Sequence, residues 1–185
     1  MTDPIKADCH GGYNAVHHSG TRPLKDITLI VLHSTEGGTA KGVAGYFTTQ
    51  ASGGSAHLVV DDDHCYRCLA DNVIPWGAPG ANEQGFHIEQ CGYAAWTAAE
   101  WKQHLGTLKR AAFKTAYHCH KFGIPVTFVT AAGLRAGKHG ITTHAEVSKA
   151  WPNDSGNHHD PGTGWPRTSF MTWVRLYYKQ LGPAV

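Results

Sequence analysis

Ile27-Thr28-Leu29-Ile30-Val31-Leu32-His33-Ser34-Thr35 is the stretch whose reading decides the fold. Aliphatic and β-branched residues follow one another here without the alternation of a half-solvated strand, as in a strand buried on both faces. The run stops at His33. Gly37-Gly38-Thr39 then turns the chain, and Val43, Tyr46 and Phe47 recur at helical spacing, so residues 40–50 read as an amphipathic helix with Thr39 as its N-cap.

The pattern continues outward in both directions. Residues 56–60 read as a strand, Asp61-Asp62-Asp63 as a hairpin turn and residues 65–69 as the partner strand. Residues 75–82 form a loop holding Trp76 and the turn-formers Gly77, Pro79 and Gly80, and residues 85–90 a further strand. Thr97-Ala98-Ala99-Glu100 has the form of a capping box. The helix it opens is expected to run to about Phe122, with Trp101, Leu105, Leu108, Ala112 and Ala116 on one stripe and Gly123 as its stop. Residues 127–130 and 141–143 are short and β-prone, 151–164 form a long loop, and a last helix spans about 167–180. Strands and helices alternate irregularly, so the expected fold is a single α/β domain over 27–185, a central mixed β-sheet flanked by helices, preceded by an irregular arm at 1–26.

A chain of 185 residues is long enough to fold without staples. Its net charge of +2, without a Lys/Arg run, argues against nucleic acid, and no apolar run is long enough to span a membrane. A monomer is expected. No apolar leader stands in residues 1–26, which points to a protein made in the cytoplasm. The five cysteines, Cys9, Cys65, Cys68, Cys91 and Cys119, are an odd number; Cys65-x-x-Cys68 lacks a second pair, and in a strand its side chains would point to opposite faces. Reduced, partly buried thiols are expected rather than a disulfide. Histidine is the outlier: 14 residues, against 16 Lys and Arg together, which raises the prospect of a metal site.

A catalytic zinc has three protein ligands and one open position, and strand ends backed by a rigid sheet place ligands well. His33 ends the strongest strand. His144 follows the β-prone 141–143. Asp160 stands in His158-His159-Asp160-Pro161-Gly162, where Pro161 and Gly162 fix a kinked loop. Each is ordinary by itself: a histidine after an apolar strand is more often a hydrogen-bonded structural residue, and His159 competes with Asp160.

Around these residues the sequence resembles the zinc amidase family that includes phage endolysin amidases, bacterial amidases and peptidoglycan-recognition proteins. Ile30-Val31-Leu32-His33-Ser34-Thr35 resembles its opening motif and Ser55-Ala56-His57-Leu58-Val59-Val60 its second strand. Trp76, the Gly-rich loop, Asn82 and Gly85-Phe86-His87-Ile88-Glu89 follow in the family's order. Thr143-His144-Ala145-Glu146-Val147 and His159-Asp160-Pro161-Gly162 with Trp165-Pro166 close the series. The resemblance implies hydrolysis of the amide between N-acetylmuramic acid and L-alanine in peptidoglycan. It implies one Zn2+ per chain on His33, His144 and Asp160, and favours Asp160 over His159. It implies Glu89 as catalytic base and puts His158 where many members carry an oxyanion-stabilising Lys. Thr35, Trp76 and Asn82 fall on loops that would line the substrate groove. His57, His87, His118 and His120 are not expected to be ligands. The expected setting is a phage lysis enzyme that reaches the wall after release through a holin, or else a trimmed secreted enzyme. The alternative is a binding module that keeps the fold without catalysis; the presence of Glu89 and Asp160 argues against it. Other zinc hydrolases fit worse, since neither a His-Glu-x-x-His helix nor a deaminase pattern is present.

Overall fold

The computed structural model describes residues 4–182; the outer ends of the expected arm and domain, 1–3 and 183–185, lie outside the described residues. Seven strands are found there: β1 His18–Thr21, β2 Leu29–Ser34, β3 Leu58–Val60, β4 Cys65–Arg67, β5 Val73–Pro75, β6 Gly85–Gln90 and β7 Gly140–Thr143. The helices are α1 Ala40–Phe47, α2 Ala98–Gln103, α3 Leu105–Phe122, α4 Ala131–Arg135, α5 His144–Ala150, α6 Pro152–Ser155 and α7 Arg167–Gln180.

The main sheet has the order β4-β3-β6-β2-β7. β2 is parallel to both β6 and β7, β3 is parallel to β6, and only β4 runs antiparallel, against β3. This is the expected mixed sheet, and β2 is buried along its whole length. One face of the sheet, with Ile30, Leu32, Phe86 and Ile88, packs against Leu108 and Ala112 of α3 and Phe170 and Val174 of α7. The other face carries Leu29 and Val31 against Val147 and Leu134, and Val59 against Ala44 and Phe47 of α1. Burying a side chain of this size contributes about 1.5–3 kcal/mol.

Local signals hold where they were read. The Thr39 side chain caps α1 by accepting from Gly42 N, and Thr97 and Glu100 make both halves of a capping box. Three expectations need correction. The helix expected over 97–122 breaks at His104, because Gly106 lies against the Asp62 backbone, where a Cβ would sit 2.5 Å from its carbonyl oxygen. Asp62 accepts from Thr107 N at 2.9 Å and contacts His104 Nδ1 at 2.7 Å, so a residue distant in sequence starts α3. The segment before β2 is not irregular throughout: β1 pairs with β5, and Arg22, 7 % exposed, donates to the carbonyls of Asn82, Glu83 and Gly85. Finally, Cys65 is not a free thiol but joined to Cys9, since His10 exchanges backbone hydrogen bonds along β4 and brings its neighbour alongside. Cys68, Cys91 and Cys119 are free and buried, and Cys65 and Cys68 do lie in different cores.

Two core histidines make the fold acid-sensitive. Phe86 is stacked between His57 and His118, at ring-centroid distances of 4.3 and 4.0 Å. Burial, reinforced at His57 by the Arg22 guanidinium, pushes each imidazole down to about 3. Between their ordinary value near 6.5 and that figure, the unfolded chain binds two protons that the folded chain does not. Stability is therefore full above about pH 6.5 and falls with acidification, by about 2.7 kcal/mol per pH unit for the two groups. Urea midpoints of metal-free protein should drop steeply between pH 6 and 4; midpoints flat over that interval would contradict the assignment.

Candidate active site

In β6, Phe86 and Ile88 face the α3–α7 core, so strand alternation turns His87 and Glu89 to the opposite face. His33 of β2 lies on that same face, and the parallel register sets Glu89 beside it. On the other side of β2, β7 ends at Thr143, whose hydroxyl caps α5 by accepting from Glu146 N. His144 is therefore the first residue of α5. Asp160 is held by its own carbonyl, which accepts from Ala145 N at 2.9 Å. At Gly162, with φ +90°, a Cβ would fall 1.9 Å from the Ala94 carbonyl oxygen, so the loop needs glycine there.

These elements bring three donor atoms together. Asp160 Oδ2 lies 3.2 Å from His33 Nδ1 and Oδ1 lies 3.1 Å from His144 Nδ1. One ligand atom from each residue falls within 4.8 Å of the others, and all three side chains are buried. Burial alone would raise the Asp160 carboxyl, but hydrogen bonds from His144 and His33 outweigh it and hold the group well below the usual carboxylate range. Burial also lowers His144, only partly offset by Asp160. Two imidazoles and one carboxylate, with an open side, form a donor set that suits zinc. Both imidazoles are anchored at the far nitrogen: His33 Nε2 to His87 Nδ1 at 3.1 Å, and His144 Nε2 to Ser155 Oγ at 3.2 Å.

The triad opens into a cleft of about 600 Å³ bordered by Trp76, Gly77, Asn82, Glu89 and His158. Glu89 Oε2 is buried with no hydrogen-bond partner among the described residues. Burial, then the charges of Asp160 and Glu36, push its carboxyl well above the ordinary value.

The sequence pattern of the family described as N-acetylmuramoyl-L-alanine amidase (Amidase_2) matches residues 23–163. The chain belongs to that family. No curated protein sequence matches this Amidase_2 chain. Its fold is similar to that of Staphylococcus aureus hydrolase AmiA, with a TM-score of 0.74 at 18% identity over 96% of this chain and 87% of AmiA. It is also similar to the catalytic domain of XlyA, with a TM-score of 0.59 at 19% identity over 91% and 99% of the two chains. The amidase LysC from Clostridium intestinale URNW gives 0.56 at 16% identity over 86% and 95%.

In this Amidase_2 chain the other expected site residues fare unequally. His158 stacks on His144 at 3.9 Å, its side chain 55% exposed and its Nδ1 3.9 Å from Asp160 Oδ1. Burial and the neighbouring His144 lower it, so it faces the cleft as a neutral donor rather than a cation. Trp76 lines the cleft rather than the core; its Nε1 donates to Ser19 Oγ, and His17 stacks on it. Asn82 borders the cleft, but its Oδ1 is engaged by the N–H groups of Gly77 and Ala78, so it shapes the Trp76 loop. Thr35 is not brought to the cleft: its hydroxyl donates to the Gly37 carbonyl. His159 is exposed and borders a separate cleft with Glu146 and Arg167. Glu36 and Ser155 fall on loops, 35–39 and 153–158, that the sequence marks as groove-lining without singling either residue out, and no role was expected for His87. A signal existed for His87, two residues before Glu89 in one strand and hence on its face; Glu36 lies in a turn and Ser155 ends the one-turn helix α6, neither of which a periodicity marks.

Proposed function

We propose that this chain is a zinc-dependent hydrolase that cleaves the amide between N-acetylmuramic acid and the L-alanine of the peptidoglycan stem peptide. What supports this reading is one juxtaposition: three convergent ligand atoms from His33, His144 and Asp160, with the unpartnered carboxyl oxygen of Glu89 in the same cleft. His33, His144 and Asp160 would hold the zinc, which supplies Lewis acidity toward the scissile carbonyl and toward water. Glu89 accepts the proton of the attacking water at Oε2 and delivers it to the departing alanine nitrogen, for which its fixed strand position and free oxygen fit it. His158, neutral and half-exposed beside His144, donates a hydrogen bond to the carbonyl oxygen as charge develops there. Trp76 offers an aromatic wall for a sugar or peptide group.

We place the enzyme in host lysis at the end of a phage cycle. Its resemblance to a Bacillus subtilis endolysin structure, at 18% identity and a TM-score of 0.59, motivates that setting. Expressed inside a bacterium, it should lyse the cell only when a holin is co-expressed.

Metal analysis of purified protein should give about one zinc per chain. Purified sacculi should lose turbidity, with new free amino groups on L-alanine and no new reducing ends. New reducing ends, or full activity after exhaustive chelation, would overturn the proposal.

A further inference from the structure

Resting on the zinc reading above, we infer that His87 is a positioning residue for the metal centre: its Nδ1 accepts the Nε2–H of His33 and so reserves His33 Nδ1 for zinc. A neutral imidazole carries one proton, and the nitrogen that binds a metal must be free of it. With the metal-facing atom at Nδ1, His33 must hold its proton on Nε2 and find an acceptor there. His33 is 2% exposed, so solvent does not serve, and the one hydrogen-bond partner of Nε2 among the described residues is His87 Nδ1 at 3.1 Å. His87 in turn holds its own proton on Nε2. With zinc bound, both Nδ1 atoms would be free of protons, and the hydrogen bonds that Asp160 accepts from them in the metal-free protein would be given up.

His87 is built to stay in that pose. Its backbone N–H donates to His57 Nδ1 at 3.0 Å, and its carbonyl accepts from His57 N at 3.1 Å. The ring lies in a slot left by two glycines: a Cβ on Gly77 would sit 2.3 Å from His87 Nδ1, and one on Gly85 2.5 Å from Nε2. A ring placed only to fill space would not need nitrogen. His87 is fully buried, its Nε2 has no partner among the described residues, and the single polar contact its ring keeps is the one to His33. The contrast with His144 sharpens the role. Ser155 Oγ, which meets His144 Nε2, can donate or accept, whereas His87 with its proton on Nε2 can only accept. Without His87, the Nδ1–H form of His33 paired to Asp160 Oδ2 would be the better-satisfied state, and that form closes the ligand atom.

The test is zinc affinity of the full chain, measured by competition with a chelator, for native protein, His87→Leu and His87→Asn. Leucine fills the slot without an acceptor; asparagine sets a carbonyl oxygen near the position of Nδ1. The zinc dissociation constant should rise about 10- to 100-fold in His87→Leu and return close to the native value in His87→Asn. The absorption spectrum of the cobalt(II) form should change in the leucine variant alone. Nitrogen-detected NMR of the native zinc form needs no variant to fold, and should find the His33 and His87 protons both on Nε2. Native-like affinity in His87→Leu, an asparagine variant as weak as the leucine one, or a His87 proton on Nδ1 would each overturn the assignment. Native protein that binds no zinc would instead overturn the metal reading on which it rests.

Discussion

Asp160→Ala should strip the protein of zinc and of wall-lytic activity together, while His159→Ala should leave both close to native. Asp160 is the one anionic member of the triad, and both of its oxygens are engaged, by His33 Nδ1 and His144 Nδ1. Protein zinc sites bind with about 10–16 kcal/mol, so loss of one ligand in three costs about 3–5 kcal/mol, or roughly 10²–10⁴-fold in affinity. Two imidazoles would remain without the charge that offsets a dication. His159 stands next in sequence, but its side chain is exposed and borders a different cleft. Equilibrium dialysis with metal analysis, alongside turbidity assays on sacculi, separates the two residues. Zinc retained in Asp160→Ala and lost in His159→Ala would shift the site by one residue.

Glu89→Gln should show the opposite pattern, keeping zinc while turnover falls by about 10²–10⁴-fold. The substitution preserves shape and removes the ability to take a proton. Glu89 lies beside His33 in the β2–β6 register, and its Oε2 has no partner among the described residues that glutamine would disturb. Its carboxyl is pushed up by burial and by the charges of Asp160 and Glu36; a bound dication opposes those charges and favours the ionised base. Zinc content and melting temperature should match native protein, with the loss confined to kcat. Unchanged turnover would reduce Glu89 to a buried strand residue.

Much of this was legible from the chain because the signals were local. The unbroken apolar run before His33 marks a strand buried on both faces, Thr39 and Thr97 announce helix starts, and α7 falls at the residues its periodicity indicates. What stayed hidden is set by distant partners. His18-Ser19-Gly20-Thr21 is polar and exposed, and becomes β1 only because β5 lies beside it. The break at His104 follows from the Asp62 backbone pressed against Gly106. Cys9 and Cys65, 56 residues apart, meet through a bridge at His10 that no spacing encodes. In the site, residue type alone left His33, His144 and Asp160 ordinary; the resemblance of the motifs around them pointed to all three, and the structure brings their donor atoms together. Thr35 was misplaced because a hydroxyl next to a ligand reads the same whether it faces the cleft or closes its own turn.

The Arg22 clasp and α7 bear on what could be exchanged between proteins of this kind. The segment with family character, 23–163, is smaller than the body that holds together. A graft confined to it would discard Arg22, which laces residues 82–85 to the segment ahead of β2, and Phe170, Met171 and Val174, which close one face of the sheet. The portable unit, for chimeras or for recombination between genes, therefore reaches from the Cys9 crosslink to the end of α7. Joins made inside those limits cut through the core, whatever the sequence likeness at the seam.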